Sequence, residues 1–182
     1  MSNTSLHELL EVHWEDGCID SGHRLAESGR VFSLRPADGE EAVFIRPEAC
    51  PEWPQGTKKC DAVVISRSRD EKTFSVVLVE LKGGHVENAL NQIEITCRAM
   101  CLNSNARTNK HGFLKNKLNQ MGWKHSGRVY GIIIGKKSIA QRQQHFKKLL
   151  QSLGLRVLSR TENIQGKSIN DLHRLLGVEM LF

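Results

Sequence analysis

Apolar and polar positions divide this 182-residue chain into short strands and helices. Two nearly continuous apolar runs, at 61–66 and 73–82, are typical of buried strands, and the polar segment between them predicts a hairpin turn. Further strands are predicted at Val31–Leu34, Ala42–Arg46, Arg128–Gly135 and Leu155–Ser159. Helical spacing of apolar residues predicts helices over 5–15, Val86–Leu102, Ser138–Leu153 and Ile169–Leu176.

The order of these elements predicts an α/β fold with a mixed central β-sheet. The segment 46–56 holds three of the four prolines and is expected to be a loop. Residues 16–30 are polar, with turns expected around Gly17 and Gly29. The length suits one domain with a full core, and no linker or repeat interrupts it. We therefore expect a single domain over 1–182.

Charge is distributed unevenly along the chain. Residues 1–60 hold eleven acidic and six basic side chains, whereas 95–161 hold fourteen Lys and Arg and no Asp or Glu. A block of one sign predicts attraction to a polyanion such as nucleic acid, the alternative being a basic surface without a partner. No apolar stretch is long enough for a membrane span, and the N-terminus has no secretory signal, so we expect a cytoplasmic protein.

The five cysteines lack the spacing of a metal motif. In a reducing compartment their expected state is the free thiol. Cys97 and Cys101 are one helical turn apart and could ligate a metal or an iron–sulfur cluster. Both fall on the apolar face of their helix, which favours packing as small hydrophobic residues.

The candidate chemistry lies at the end of the second apolar run. Glu80 and Lys82 are two residues apart in a strand, so their side chains point the same way. If the strand that begins at Asp61 pairs with this one, a second carboxylate arrives beside them. Two carboxylates and the Leu81 carbonyl can hold a hard cation such as Mg²⁺ or Mn²⁺, and a lysine can orient water or neutralise a phosphate oxygen. A surface ion pair at a strand end is the alternative.

The segments Lys59-Cys60-Asp61 and Val79-Glu80-Leu81-Lys82-Gly83-Gly84 resemble the two half-motifs of the PD-(D/E)xK nuclease superfamily. Cys60 stands where that family usually has proline. The resemblance implies a restriction-endonuclease-like core, with its mixed central β-sheet flanked by helices, over about 5–135. A basic α/β extension would then cover about 136–182. It also implies that Asp61 and Glu80 bind metal, that Lys82 serves catalysis, and that the substrate is DNA.

Supporting residues of the site are less sharply indicated. In one branch of the superfamily a Gln followed four residues later by Tyr supports the site; here Gln92 is followed by Thr96, so Gln92 is either a supporting residue or a solvated one. His85, at the start of the following helix, could touch a phosphate or remain a surface residue. An acidic residue of the first helix often completes the family's metal site, and the sequence does not choose among Glu8, Glu11, Glu15 and Glu27.

Several basic residues are candidates for nucleic-acid contacts. Lys58 and Lys59 precede the Asp61 strand and could hold DNA near the metal or simply keep a loop soluble. Within the basic block the candidates are Arg107, Lys110, Lys115 and Lys117.

The leading hypothesis is a Mg²⁺-dependent DNA endonuclease acting in DNA processing or genome defence, the biological role being an analogy only. A catalytically inactive nucleic-acid-binding subunit of a larger complex is the alternative, and a protein-interaction partner with a fortuitous motif is a third. The basic block does not distinguish DNA from RNA, although the resemblance favours DNA. Small size suggests that a homodimer or a partner protein supplies targeting.

Overall fold

The structure, a computed structural model, describes residues 5–11, 17–20, 22–50, 56, 58–67, 74–82, 85–98, 129–135, 156–160, 163–168 and 171–172. At Leu9, Glu11, Phe74 and 156–160 it describes the backbone alone. The helix predicted over Ser138–Leu153 lies outside these residues, as does most of the one predicted over Ile169–Leu176.

The described elements are short and mostly strands. In chain order they are α1 (Leu6–Glu11), β1 (Ile19–Asp20), β2 (Arg24–Glu27), β3 (Arg30–Leu34), β4 (Glu41–Ile45), the 3-10 turn η1 (Pro47–Ala49), β5 (Ala62–Arg67), β6 (Phe74–Lys82), α2 (Val86–Cys97), β7 (Val129–Gly135), β8 (Arg156–Arg160) and β9 (Ile164–Lys167). The strands predicted around β3 to β8 are confirmed within one or two residues at each end. The predicted α2 stripe is confirmed through Cys97, and the residues from 99 to 102 lie outside the description.

Six strands form the main sheet in the order β1-β4-β5-β6-β7-β8. The first four pair antiparallel, and β6, β7 and β8 pair parallel, so the sheet is mixed as predicted. The parallel β6–β7 connection contains α2, which is the crossover that parallel neighbours require. The central strands β5 and β6 are apolar on both sides because both of their faces are covered.

Alternate residues of the main sheet enter two separate cores. Val76 and Leu78 of β6 join a core with α1 and α2 on one face, whereas Val77 and Val79 join a second core on the other. That second core is closed by a three-stranded sheet, β2-β3-β9, which contributes Leu25, Phe32, Leu34 and Ile164. The described fold is therefore mixed α/β, with helices on one face of the main sheet and a smaller sheet on the other.

The smaller sheet was missing from the sequence prediction, which had turns over residues 16–30. Strand β2 has only one buried residue, Leu25, and β9 only Ile164, so neither shows strand periodicity. Both exist because β3 supplies hydrogen bonds, antiparallel to β2 and parallel to β9. The turn predicted at Gly29 is confirmed: Ser28 and Gly29 have positive φ values of 49° and 74°, as a tight hairpin requires.

Helix α1 begins with reciprocal hydrogen bonds. Glu8 N–H donates to Ser5 Oγ (3.1 Å), and Ser5 N–H donates to the Glu8 carboxylate (2.8 Å), which is a capping box. The Glu41 carboxylate on β4 accepts from Leu6 N–H at 3.3 Å, which ties the start of α1 to the sheet. No helix in the described ranges is long and apolar enough to cross a membrane.

The expectation that all five cysteines are free thiols is wrong for one pair. Cys18 and Cys50 form a disulfide, with their Cα atoms 4.8 Å apart. They are 32 residues apart in sequence, and only the pairing of β1 with β4 brings them together. Cys60 and Cys97 are buried and take part in no disulfide among the described residues, in agreement with the packing role predicted for Cys97, whereas Cys101 lies outside the described residues.

Candidate metal and phosphodiester site

The antiparallel pairing of β5 and β6 brings the two candidate carboxylates to one place. Ala62 pairs with Val79, so Asp61 and Glu80 are the next positions outward in the same register. Leu81 N–H donates a 2.6 Å hydrogen bond to Oδ2 of Asp61, which fixes this carboxylate against the end of β6. Asp61 is half-buried, and its other oxygen is not used in that bond.

Glu80 is completely buried, at 0% exposure, and Lys82 lies beside it on the same side of β6. The Lys82 ammonium nitrogen is 2.7 Å from Oε1 of Glu80 and remains 31% exposed. Apart from this ion pair at Oε1, neither oxygen of Glu80 has a hydrogen-bond partner among the described residues, so Oε2 has no partner of either kind. A buried carboxylate oxygen without a partner is energetically costly, and costs of this kind concentrate at functional sites.

Burial and neighbouring charge shift the protonation of all three groups. Burial raises the pKa of Glu80 from 4.5 to about 7, which the Lys82 ammonium opposes and the Asp61 charge reinforces. Burial also raises the pKa of Asp61, although the Leu81 amide opposes this. For Lys82, burial acts to lower the pKa, but the contact with Glu80 and the charge of Asp61 outweigh it and raise the pKa. The site therefore holds a protonated lysine beside two carboxyl groups whose pKa values are raised.

Two further acids lie within electrostatic reach of this group. The charge of Glu27, at the end of β2, raises the pKa of both Asp61 and Lys82, and that of Glu48 in η1 raises the pKa of Asp61. Of the four acids that the sequence left open, Glu8 is engaged in the α1 capping box, and Glu15 and the side chain of Glu11 lie outside the description. Sequence reasoning missed Glu48, whose position in a proline-rich loop carried no signal.

Helix α2 holds the segment that leads into Asp61. Gln92 is buried and donates from Nε2 to the Lys59 carbonyl at 2.7 Å. Thr96 Oγ1 accepts from Cys60 N–H at 2.9 Å and donates to the Gln92 carbonyl at 2.7 Å. The structure therefore places Gln92 against the site strand. Thr96 is a second supporting residue, which the sequence did not predict. It lies one turn after Gln92 on the same face of the helix.

The predicted nucleic-acid contacts have different settings. Lys58 is exposed, and His85 is exposed at the residue that precedes α2. Lys59 is buried at 3% exposure with Nζ 3.5 Å from the Pro47 carbonyl, so a phosphate contact would require its side chain to leave this position. Arg107, Lys110, Lys115 and Lys117 lie outside the described residues.

Gly135, next to Lys82 on β7, allows the two strand ends to approach closely. A Cβ atom at this position would lie 2.9 Å from the Lys82 carbonyl oxygen, which is shorter than real Cβ contacts. A side chain here would push the end of β6 away from β7. Because Lys82 is the last residue of β6, this close approach helps to set where its side chain begins.

The donor set suits a cation that keeps part of its water shell. Within the described ranges no three His, Cys, Asp or Glu side chains form a group that could hold a metal ion. Asp61 and Glu80, with the Leu81 carbonyl as a further candidate, are oxygen donors, and Mg²⁺ is commonly held by one or two carboxylates with waters completing its octahedron. The unpartnered Glu80 Oε2 fits such a ligand.

Comparison with protein-family models, with curated proteins and with solved structures finds no match to this chain.

Proposed function

We propose that this protein is a Mg²⁺-dependent nuclease of the PD-(D/E)xK type that hydrolyses phosphodiester bonds, with DNA as the favoured substrate. The observation that carries the proposal is the fully buried Glu80 carboxylate, which has one oxygen beside Lys82 and the other without a partner in the described structure. A buried carboxylate with an oxygen that lacks a partner is costly for stability, and this cost favours a functional role over a structural one.

Asp61 and Glu80 would hold the cation, with the Leu81 carbonyl as the third protein oxygen. The bound cation supplies Lewis-acid activation of water and neutralises charge on the phosphate. Glu80 must be ionised to act as a ligand, and its raised pKa of about 7 means that this occurs near neutral pH. The Leu81 amide donates to Oδ2 of Asp61, which supports a role for this carboxylate as a ligand through its other oxygen.

Lys82 would serve the reacting phosphate. Its ammonium is protonated, partly exposed, and anchored at 2.7 Å by Glu80, so it presents positive charge at the edge of the site. From there it can stabilise the negative charge that develops on a phosphate oxygen, or orient the attacking water in line with the leaving group. Gln92 and Thr96 act indirectly, by fixing the backbone immediately before Asp61.

The proposal is tested with labelled single-stranded, duplex and branched DNA, incubated with Mg²⁺, Mn²⁺ or EDTA. We expect cleavage with either cation and none with EDTA. Asp61→Ala should abolish cleavage with the fold intact, because removal of one of two close carboxylates relieves repulsion. Asp20→Ala is the matched control, since Asp20 is an acid engaged by Arg46 away from the site.

Cleavage by Asp61→Ala at the wild-type rate would overturn the catalytic assignment. Metal-independent DNA binding without cleavage by the wild type would favour the inactive nucleic-acid-binding subunit instead.

A further inference from the structure

The small sheet β2-β3-β9 carries an uneven charge. Together with Arg35, which follows β3, its strands hold four cations and one carboxylate: Arg24, Arg30, Arg35, Lys167 and Glu27. Glu27 and Arg30 are directly opposite each other in the β2–β3 register, so these opposite charges face across the hairpin. At the other end of the sheet, three cations have no acid opposite them in the register of the described strands.

These three cations lie near one another in the register of the small sheet: Arg24 is on β2 opposite Ser33, Arg35 comes directly after β3, and Lys167 is on β9 in register with Leu34. Arg24 pairs with Ser33, two residues before Arg35, and Arg35 N–H donates to the Lys167 carbonyl at 2.9 Å. All three side chains are exposed. The hydrogen bonds of the sheet hold the backbones of these residues, so the positions of their Cα atoms are fixed.

None of the three forms an ion pair with a described carboxylate; the ion pairs of the described residues use other cations. Two nearby acids have other partners. The Glu40 carboxylate accepts from Ala37 N–H at 2.9 Å, and that of Asp171 accepts from Ser168 N–H at 3.2 Å. Asp38, in the turn after Arg35, also forms no ion pair within the described structure. The three cations are therefore held in no ion pair within the described structure, and the nearby carboxylates of Asp38, Glu40 and Asp171 keep their negative charge.

We propose that Arg24, Arg35 and Lys167 form a phosphate-contacting surface for duplex DNA, which extends the substrate-binding region beyond the candidate site. This inference rests on the proposed nuclease function. Exposed cations without protein partners gain free energy by releasing the counterions of a nucleic-acid backbone, whereas cations already paired gain less. A surface of this kind positions the duplex and carries no base specificity.

The direction of β2 links this surface to the site. Its Glu27 end lies within electrostatic reach of Asp61 and Lys82. Arg24 is three residues earlier on the extended strand, roughly 10 Å away at 3.3 Å per residue. Because successive side chains of a strand point to opposite faces, Arg24 lies on the other face of β2 from Glu27, so a duplex would pass around the end of the small sheet to reach both the cations and the carboxylates. These three cations lie outside the basic block of residues 95–161, which the sequence predicts to attract nucleic acid.

The test compares two pairs of arginine substitutions in a Glu80→Gln background, which prevents cleavage. R24A/R35A removes unpaired arginines, and R46A/R67A removes arginines that pair with Asp20 and Glu41. Affinity for a 20-base-pair duplex is measured between low and moderate salt by fluorescence anisotropy, and thermal unfolding checks that each protein is folded. We expect R24A/R35A to make the slope of log affinity against log salt concentration less negative by up to about 2. Adding K167A to this variant should make the slope less negative by up to about 1 more. The control should change the slope little.

An unchanged slope in R24A/R35A/K167A, with wild-type cleavage and binding otherwise present, would overturn this surface and leave the nuclease proposal standing. Equal changes of the salt slope in R24A/R35A and R46A/R67A would also overturn this surface. The loss of DNA affinity would then depend on the net charge of the protein and not on where the arginines lie. Failure of the wild type to bind or cleave DNA would overturn both proposals together.

Discussion

Lys82 holds its ammonium nitrogen 2.7 Å from Oε1 of Glu80, a carboxylate with no exposed surface, while the lysine itself keeps 31% of its side chain in solvent. In this ion pair the Glu80 carboxylate is therefore buried, and the Lys82 side chain is accessible to solvent. The buried acid would otherwise be unpaired, and the accessible ammonium can meet a ligand without leaving its partner.

Lys82→Ala should lower turnover far more than metal affinity, because charge stabilisation in the transition state is not needed to bind a cation. Loss of one preorganised electrostatic contact costs about a hundredfold or more in rate. Single-turnover cleavage and calorimetric Mg²⁺ or Mn²⁺ binding would be measured side by side. Lys58→Ala, which removes an exposed lysine before β5, should weaken DNA binding but leave the saturated rate nearly unchanged. Equal cleavage rates in Lys82→Ala and wild type would leave Lys82 as a surface lysine.

Glu80→Gln should stabilise the protein above neutral pH. The pKa of Glu80 is raised from 4.5 to about 7, so the folded state binds this proton more tightly than the unfolded chain. The free energy of unfolding therefore falls as pH rises from about 4.5 to about 7, by on the order of 3 kcal/mol, and stays lowered above that range. The variant lacks this titration.

Thermal unfolding from pH 4.5 to 8.5 checks this expectation. The melting temperature of Glu80→Gln should match that of the wild type at the acid end and exceed it at the alkaline end. Glu94→Gln is the control, since Glu94 also pairs with a cation but is 21% exposed, and its difference from wild type should stay small at every pH. A Glu80→Gln difference that is constant with pH would contradict the raised pKa.

Mg²⁺ binding should become tighter as pH rises through about 7 and should release protons, because the cation requires ionised Glu80. Calorimetry at pH 7 in buffers of different ionisation enthalpy measures the number released. Glu80→Gln should release fewer protons. Identical proton release by the two proteins would remove Glu80 from the metal site.

Gln92→Ala and Thr96→Val should each loosen the backbone before Asp61. The first leaves the buried Lys59 carbonyl without its donor, and the second leaves Cys60 N–H without its acceptor, at a cost of about 1–3 kcal/mol each. Both should also slow cleavage, because Asp61 follows this segment directly. Asn91→Ala, on the exposed side of the same helix, should do neither. The loss of stability in the double variant Gln92→Ala/Thr96→Val should be smaller than the sum of the two single losses. Both side chains hold the same segment, Lys59 and Cys60, so their effects are not independent.

DNA affinity should fall steeply with salt if the lysines and arginines between Arg98 and Arg160 contact phosphates. Each contact contributes about −0.9 to the slope of log affinity against log salt concentration on duplex DNA. The measurement uses the Glu80→Gln protein and one duplex across a salt series. A flat series would show that the block faces something other than nucleic acid.

Local pattern was sufficient for the centre of the fold and of the site. The apolar runs predicted β5 and β6, and alternation within β6 put Glu80 and Lys82 on one side. A short turn between two strands leaves antiparallel pairing as the simplest arrangement, so the approach of Asp61 to Glu80 was also predictable. Helical spacing likewise predicted the buried stripe of α2. In each case the determining interactions lie close in sequence or follow from one periodicity.

Only tertiary structure decided the rest, because those features depend on partners far away in the chain. Strands β2 and β9 have one buried residue each and are ordered by pairing with β3. Cys18 meets Cys50 through the β1–β4 pairing, and Lys59 is buried by its position against Pro47. The same long-range packing brings Glu27 within electrostatic reach of the site. Periodicity in a sequence reports which face of an element is buried, but the element that buries it is set by contacts that no local pattern encodes.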